Sequence, residues 1–208
     1  MIIREEIWSV QDYIEAFMNG CPNHIRPMIC PHCLAQVMLH KHGNFKRSVF
    51  TLLKEFIIVI YRFKCPILEC QKTTSLLPSF VDEHHQVAWG IKDEVIRRQS
   101  SGIALVNVAE NLETPAGKFS EKTLWRWSRA FREDMGEDVQ EFLSKEWTFV
   151  LEQLPHMVLP VGESKPDREW AWLFRAWDQV REFLPERFGL GILEWLYRTK
   201  RSLAVAVG

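Results

Sequence analysis

The chain has 208 residues, of which 47% are hydrophobic and 25% are charged, and its formal net charge is −1. This composition excludes wholesale disorder, and a chain of this length buries roughly 70% of its unfolded surface in a core. The longest strongly apolar run, Phe56 to Tyr61, is far shorter than the ~20 residues that span a bilayer, and the acidic N-terminus lacks a signal-peptide pattern. We therefore expect a cytoplasmic protein with no membrane partner.

Charge is unevenly distributed along the chain. Residues 21–72 contain eight Lys or Arg and two acidic residues, whereas the rest of the chain is acidic on balance. A basic block within a nearly neutral chain is a candidate anion-binding surface, which the overall charge conceals.

All five cysteines lie in the first third of the chain, and four of them form two close pairs. Cys30 and Cys33 are a C-x2-C pair, and Cys65 and Cys70 are a C-x4-C pair that begins after 31 intervening residues. Four thiolates can surround one zinc ion tetrahedrally, and a closed set of four ligands is typical of a structural site. We therefore predict one structural Zn2+ on these four residues, with Cys21 or a nearby histidine as the alternative for one ligand. Buried cysteines without a metal, or a redox pair, are the other interpretation.

Two segments between the cysteine pairs, 45–51 and 55–63, are rich in Phe, Val, Ile, Thr and Tyr and predict the strands of a β-hairpin. Two cysteine turns that flank a hairpin form a zinc ribbon, and the metal would supply much of the folding energy because an isolated hairpin is marginal in water. Four bases on these strands are predicted to form a common surface that contacts phosphate groups: Lys46, Arg47, Arg62 and Lys64. A solvated face that contributes only solubility is the alternative.

The run Asp82-Glu83-His84-His85 follows the second cysteine pair and contains four potential metal ligands. A contiguous run rarely converges on one ion, so a loop or the start of a helix is the preferred interpretation. The alternative is a metal-dependent hydrolase that uses Asp82, His84 and His85 with an acid such as Glu110.

Helical periodicity predicts helices over 85–99, 103–112 and 121–132, the last with Ser120 as its N-cap. A short apolar helix, a turn and a base-rich second helix match a helix-turn-helix, whose second helix enters the major groove of DNA. Trp125 is expected in the core, with a position that lines the DNA groove as the alternative. The predicted DNA contacts are Lys122, Thr123 and Arg126 at base edges and Arg129 at a phosphate. An ordinary amphipathic helical hairpin is the alternative interpretation.

The last third of the chain predicts further helices over 138–151, 167–184 and 187–200. A connector over 154–166, with three prolines and a glycine, separates the first of these helices from the other two. Five of the nine tryptophans lie after residue 146. Such a stripe indicates either a core or a surface that binds a second copy of the chain or another protein.

These elements predict an α+β fold that is mostly α-helical. We expect a zinc-ribbon module with an N-terminal helical segment over 1–80, a helix-turn-helix-like helical region over 81–153, and a Trp-rich C-terminal helical hairpin over 167–208. The sequence has no nucleophile elbow, phosphate-binding loop or Gly-rich dinucleotide motif, so no catalytic residue is assigned.

Three segments of the sequence resemble one known family. The turn Cys30-Pro31-His32-Cys33, the strand that ends at Tyr61-Arg62-Phe63-Lys64-Cys65 and the stretch from Cys70 to Phe80 are similar to the zinc ribbon of transposase-like proteins from bacterial mobile elements. The resemblance extends over about residues 28–132. It implies double-stranded DNA as the ligand, at the ends of an element, and association with the nucleoid. Complete transposases of this kind have a long catalytic domain with three carboxylates, whereas no series of strands is predicted after residue 135, so we expect no such domain here.

We therefore predict a zinc-stabilised DNA-binding protein of the mobile-element type that is not an enzyme. Its C-terminal helices would bind a second copy of the chain or another mobile-element protein. A protein-interaction adaptor with a structural zinc is the second hypothesis, and the metal-dependent hydrolase is the third. DNA affinity separates the first hypothesis from the second, and a second, labile metal would indicate the third.

Overall fold

The structure is a computed structural model that describes residues 2–3, 9–83, 85–157, 170–185 and 190–198. It divides into two compact units, Met1–Ala88 and Trp89–Gly208. The first unit contains a β-sheet and the described part of the second is helical, so the predicted α+β class is confirmed.

The first unit is built on a four-stranded sheet. Its strands are β1 (Ile2–Ile3), β2 (His40–Phe50), β3 (Glu55–Lys64) and β4 (Thr73–Leu77). They lie in the order β1-β4-β3-β2, in which β2, β3 and β4 are antiparallel and β1 joins β4 in parallel. The hairpin predicted between the two cysteine pairs is therefore present as β2 and β3.

Helix α1 (Val10–Phe17) packs against β3 in the first unit. The Tyr13 hydroxyl donates a hydrogen bond to the Val59 carbonyl oxygen at 2.8 Å, and the Tyr13 ring stacks on Phe17 with 4.2 Å between the ring centroids. Both aromatic side chains are buried with apolar residues of the sheet: Ile58, Ile60, Phe63, Leu76 and Leu77. This core fixes the end of β3, which leads directly into Cys65.

The described residues of the second unit form a series of helices. They are α2 (Trp89–Ser100), α3 (Leu105–Asn111), α4 (Glu121–Asp134), α5 (Glu137–Gln153), α6 (Ala171–Phe183) and α7 (192–198). The helix predicted from His85 begins only at Trp89, because Val87 and Ala88 form isolated β-bridges with Phe50 and Val81 and cannot also start a helix.

Tryptophan contacts join α5, α6 and α7 in the hydrophobic core of the second unit. The indole N–H of Trp177 in α6 donates to the Leu190 carbonyl oxygen at 2.8 Å. The ring of Trp177 meets those of Trp147 in α5 and Trp195 in α7, at centroid distances of 6.3 and 5.2 Å. Residues from α2, α4, α5, α6 and α7 are buried together in this core.

This single core differs from the predicted division of the second half of the chain. The sequence indicated separate domains over 81–153 and 167–208, whereas the described residues on both sides of the predicted connector are packed together. The physical reason is that the C-terminal tryptophans bury themselves against the preceding helices, which leaves the predicted partner-binding surface without most of these rings. Most of the connector lies outside the described residues.

A buried carboxyl group joins α2 to α7. Asp93 Oδ1 accepts a hydrogen bond from the Leu193 N–H at 3.0 Å. Asp93 Oδ2 lies directly against Gly191, where an added Cβ atom would overlap it. Burial raises the pKa of Asp93 to about 7, because desolvation outweighs the Leu193 N–H and the Arg97 guanidinium, both of which favour the carboxylate. The nearby Glu194 acts in the same direction as burial.

Replacing Asp93 with asparagine should stabilise the second unit at neutral pH. The pKa of Asp93 is about 7 in the folded chain, above the ordinary value of 3.8. Between these two pH values the unfolded chain releases a proton that the folded chain keeps, so the free energy of unfolding falls as the pH rises from 3.8 to about 7. The amide side chain of the Asp93→Asn variant would keep the acceptor for Leu193 without titrating. The free energy of unfolding of the variant, relative to that of the parent, should therefore grow by roughly 3 kcal/mol between about pH 4 and pH 7.

Urea unfolding at several pH values, followed by tryptophan emission, measures this difference. Eight of the nine tryptophans lie in the second unit, so the emission reports on that unit. A difference between variant and parent that stays constant with pH would contradict the buried, protonated state of Asp93.

Candidate functional site

The first cysteine pair lies on a tight turn between a 3-10 helix (Asn23–Ile25) and β2. The Leu34 N–H donates to the Cys30 carbonyl oxygen at 2.9 Å, and the Cys30 N–H donates to the Ala35 carbonyl oxygen at 3.0 Å. Leu34 has a left-handed backbone with φ of 59°. This conformation costs a residue other than glycine about 1–2 kcal/mol. The turn reverses the chain directly after Cys33.

The second cysteine pair lies on a similar turn between β3 and β4. The N–H groups of Cys70 and Gln71 both donate to the Ile67 carbonyl oxygen at 3.0 Å, and Gln71 has φ of 46°. Leu34 and Gln71 are the only non-glycine residues with positive φ among the described residues, and each directly follows the second cysteine of its pair. The C-x4-C pair therefore ends in the same way as the C-x2-C pair, despite its two extra residues.

The two turns bring four sulfur atoms together. The ligand atoms of Cys30, Cys33, Cys65 and Cys70 all lie within 4.8 Å of one another. Cys30 Sγ is 3.7 Å from Cys70 Sγ, and Cys33 Sγ is 3.8 Å from Cys65 Sγ. Sulfur ligands that lie about 2.3 Å from a tetrahedral ion are about 3.8 Å from each other, and a disulfide is far shorter. The four predicted cysteines therefore form a cluster that can hold one metal ion.

The four thiols differ in exposure and in acidity. Cys30 and Cys65 are buried, Cys70 is half-buried and Cys33 is exposed. Desolvation opposes ionisation of Cys30, but hydrogen bonds from the backbone of Cys33 and His32 lower its pKa to about 7. Burial raises the pKa of Cys65 to about 12. One thiolate is thus favoured within the cluster, and a bound cation would supply the charge that ionises the others.

Cys21 lies outside this cluster. Its Sγ is 3.6 Å from the Pro22 carbonyl oxygen, and its side chain is buried in the core that contains Tyr13 and Tyr61. Within the described ranges, the cysteine cluster is the one group of three or more His, Cys, Asp or Glu that is close enough to hold a metal. The geometry therefore does not favour the alternative in which Cys21 or a histidine replaces one ligand.

Large apolar side chains are exposed beside the cluster. Four residues in or next to the two turns are more than half exposed: Met28, Ile29, Leu34 and Leu68. All four are within two residues of a cluster cysteine along the chain. A partner that covered them would therefore also approach the metal site.

The four bases predicted on the hairpin do not form a common surface. Lys46 and Arg47 are neighbours in β2 and pair with successive residues of β3, so their side chains point to opposite faces of the sheet. Arg62 and Lys64 are two residues apart in β3 and share one face. The prediction of one surface was wrong because it counted bases along the strands without separating the two faces.

Arg47 instead holds the segment that follows β4. Its guanidinium donates to the carbonyl oxygen of Asp82 at 2.7 Å and to that of His85. Within this segment, His85 Nδ1 lies 2.9 Å from Asp82 Oδ2. His84 lies outside the described residues and Glu110 belongs to the second unit. The described structure therefore does not assemble the residues of the hydrolase hypothesis into one cluster.

Helix α4 exposes a face that carries three bases and a tryptophan. Lys122, Trp125, Arg126 and Arg129 occupy positions i, i+3, i+4 and i+7 and are all exposed; we call them the α4 face. The opposite side of the helix is buried through Leu124, Trp127, Ser128 and Phe131. The Arg129 guanidinium carbon lies 5.6 Å from the centroid of the Trp125 ring. The expectation that Trp125 belongs to the core was wrong, since this residue is 49% exposed.

Thr123, the remaining predicted DNA contact on α4, belongs to the helix cap. Its N–H donates to Ser120 Oγ at 3.3 Å, and the two hydroxyl oxygens are 3.0 Å apart. The connection from α3 to α4 contains a turn with Gly117 at φ of 84°, and Lys118 Nζ donates to the Glu110 carbonyl oxygen at 2.8 Å. This connection is longer than the three or four residues of a tight helical turn.

The fold and the site define an α+β protein with a four-cysteine cluster that can hold a metal ion. No protein-family model, curated protein or solved structure matches the chain. In the ranges that the structure describes, none of the helices combines the length and the apolar character needed to cross a bilayer.

Proposed function

We propose that this protein is a zinc-stabilised, duplex-DNA-binding protein of the transposase-like type found in bacterial mobile elements. In this proposal the first unit is a zinc ribbon, and α3 and α4 form a helix-turn-helix with a long turn. The exposed bases of the α4 face are the observation that supports DNA binding.

Zinc is the metal that suits the cysteine cluster best. Four soft thiolates in a tetrahedral set are typical of zinc or of an iron–sulfur cluster. The separations of 3.7 and 3.8 Å between sulfur atoms are those expected around a single ion. A site closed by four protein ligands leaves no position for a substrate, so the zinc would stabilise the two turns and the hairpin between them.

The α4 face has the chemistry of a recognition helix. Lys122 and Arg126 lie in the first two turns of α4, where such a helix meets base edges in the major groove. The fork of N–H groups on arginine pairs with the O6 and N7 atoms of guanine. Arg129 lies about one turn further along, where a phosphate contact is expected. Trp125 adds an exposed ring that can pack on a thymine methyl group or a sugar.

Replacing Arg126 with alanine should weaken binding to the preferred DNA sequence. Selection from a random duplex pool with the zinc-loaded full chain identifies that sequence. If Arg126 reads a base, its loss should lower the affinity by about 5- to 150-fold, equivalent to about 1–3 kcal/mol, and should relax the preference at one position. Replacing Arg129 should instead weaken binding to all sequences alike and reduce the salt slope by about one.

Lys145→Ala provides the control for this experiment, because Lys145 is an exposed base of α5 rather than of the α4 face. It should bind the selected sequence as the parent does. Equal binding by Arg126→Ala and the parent would contradict the role of Arg126. Failure of the parent to retain any duplex at low salt would contradict the DNA-binding function as a whole.

The exposed apolar residues beside the cysteine cluster favour a second function, which is the binding of a protein partner. Ile29, Leu34 and Leu68 present large apolar side chains to solvent where the two turns meet, and protein contacts use such surfaces. An adaptor of this kind would show no DNA affinity at moderate salt, so the same titration separates the two functions.

A further inference from the structure

The turn that joins β2 to β3 exposes two leucines. It runs from Thr51 to Lys54 and is closed by a hydrogen bond from the Thr51 N–H to the Lys54 carbonyl oxygen at 3.1 Å. Leu53, within the turn, is 91% exposed, and Leu52 is 39% exposed. Two-residue hairpin loops favour asparagine and glycine, so turn chemistry does not account for two leucines. Apolar side chains held in water at this position point to a partner.

Hydrogen bonds fix the backbone of this turn and of the strand that leads into it. The Thr51 hydroxyl accepts hydrogen bonds from the backbone N–H groups of the last two turn residues, at 3.3 and 3.2 Å. At the end of β2, the Phe50 N–H donates to the Gln86 carbonyl oxygen at 2.7 Å, and the Phe50 carbonyl oxygen accepts from the Ala88 N–H at 2.9 Å. The residues on both sides of the leucines are thus fixed before any partner binds.

One face of the hairpin behind the turn combines an apolar residue with a base. Ile57 is 62% exposed and pairs with Ser48, while Lys46 pairs with Val59. Residues two apart on a strand share a face, so the side chains of Lys46 and Ile57 point to the same side of the sheet. Around the turn, the exposed bases Lys46 and Lys54 outnumber the one acidic residue, Glu55, while Arg47 is half-buried and donates to backbone carbonyl oxygens. This charge favours a polyanion as the partner.

Duplex DNA is a polyanion that also accepts apolar side chains, because wedge residues such as leucine can enter between base pairs from the minor groove. We propose that the hairpin turn inserts Leu53 into a base step from the minor groove and kinks the duplex, with Lys46, about 13 Å back from the end of β2, at a phosphate away from that step. This inference rests on the proposed DNA-binding function. It adds to that function a second mode of contact, which deforms DNA and does not read base edges.

Replacing Leu53 with serine should remove the kink and leave binding largely intact. Energy transfer between dyes at the two ends of a short mixed-sequence duplex should report a bend of about 20–90° with the zinc-loaded parent chain, and permanganate should oxidise thymines at the unstacked step. The Leu53→Ser variant should lose both signals, while its affinity falls about tenfold or less because phosphate contacts supply most of the binding. Met18→Ser, which changes an exposed apolar residue at the end of α1, should keep both signals.

Each negative result of this experiment contradicts a different claim. A parent chain that binds no duplex contradicts the proposed function, and the wedge with it. A parent that binds without bending or unstacking DNA, or a Leu53→Ser variant that bends it equally, overturns the wedge alone. Sedimentation with phosphatidylserine vesicles that depends on Leu53, without a bent duplex, would overturn it in favour of a membrane surface. A zinc content equal to that of the parent shows that the Leu53→Ser variant is folded. If its zinc content is lower, Leu53→Asn is used instead, because asparagine is favoured in such turns.

Discussion

Replacing Cys65 with serine should abolish tight zinc binding and unfold the first unit. Apparent binding free energies of structural zinc, about 10–16 kcal/mol, match or exceed the total stability of an ordinary domain, about 5–15 kcal/mol. Cys65 is buried and directly follows β3, so the substitution also releases the end of a central strand. Hydrogen exchange should show protection lost in β2, β3 and β4 and kept in α4, α5 and α6. A zinc chelator should have the same effect on the parent chain.

Cys21→Ser is the matched control for this substitution. Cys21 is buried in the same unit, but its sulfur lies outside the cluster. The control variant should therefore bind one zinc ion per chain and keep the exchange protection of the sheet. The proposed zinc site would be wrong if Cys65→Ser still bound zinc tightly, or if Cys21→Ser lost the metal to the same degree.

Replacing Gly191 with alanine should destabilise the second unit by about 3 kcal/mol, at the upper end of the usual cost of overpacking. The added Cβ atom would overlap Asp93 Oδ2. Asp93 has little freedom to move aside, because it is buried and its other carboxyl oxygen holds the Leu193 N–H at 3.0 Å. Urea unfolding followed by tryptophan emission measures the loss.

Two further variants show whether this loss arises from the contact with Asp93. In an Asp93→Ala background the obstructing oxygen is absent, so the same substitution at Gly191 should cost much less, and the double-mutant cycle gives the coupling. Gly90→Ala is the control, since Gly90 lies in α2 with open space at its Cβ position. It should change the stability of the unit by about 0.5 kcal/mol or less, because Gly90 is exposed and is only the second residue of α2. Equal losses in both backgrounds would contradict the proposed contact.

The features that the sequence predicts well are those encoded over short distances. The spacing of Cys30 and Cys33 and of Cys65 and Cys70 identifies the cluster, because a cysteine pair on a turn directs both sulfurs to one point whatever the rest of the chain does. The hairpin between the pairs follows from two segments rich in strand-forming residues, 45–51 and 55–63. The cap of α4 follows from Ser120 alone, which accepts the Thr123 N–H as an N-cap should.

The features that the sequence does not predict depend on distant partners. Arg47 is one of several bases on the hairpin, and only the position of the segment around Asp82 shows that its guanidinium bonds to backbone carbonyls. The start of α2 is delayed by strand bridges to residues far earlier in the chain. The left-handed turns at Leu34 and Gln71 carry neither glycine nor asparagine, so no local signal marks them.

The exposed position of Trp125 on the α4 face is a third feature that differs from the sequence-based prediction. The general tendency of tryptophans to be buried predicts Trp125 in the core, but this tendency takes no account of the helical positions around the residue. Leu124, Trp127 and Phe131 already specify the buried side of α4, and Trp125 falls on the other side together with the bases. The position of Trp125 around the helix axis therefore predicts its exposure, whereas its residue type alone does not.

The hydrogen bond between Asp93 and Leu193 connects positions 100 residues apart, and this has a consequence for how the protein is made. The four cysteines of the cluster and the whole sheet belong to residues 1–88, so the first unit can complete its fold while the ribosome is still producing the rest. The second unit folds later, because the Leu190 carbonyl oxygen that accepts from the Trp177 indole and the Leu193 N–H that donates to Asp93 are synthesised about 100 residues after α2 begins. During that interval the tryptophans already synthesised lack the residues that bury them, and such transiently exposed apolar surface is prone to aggregate.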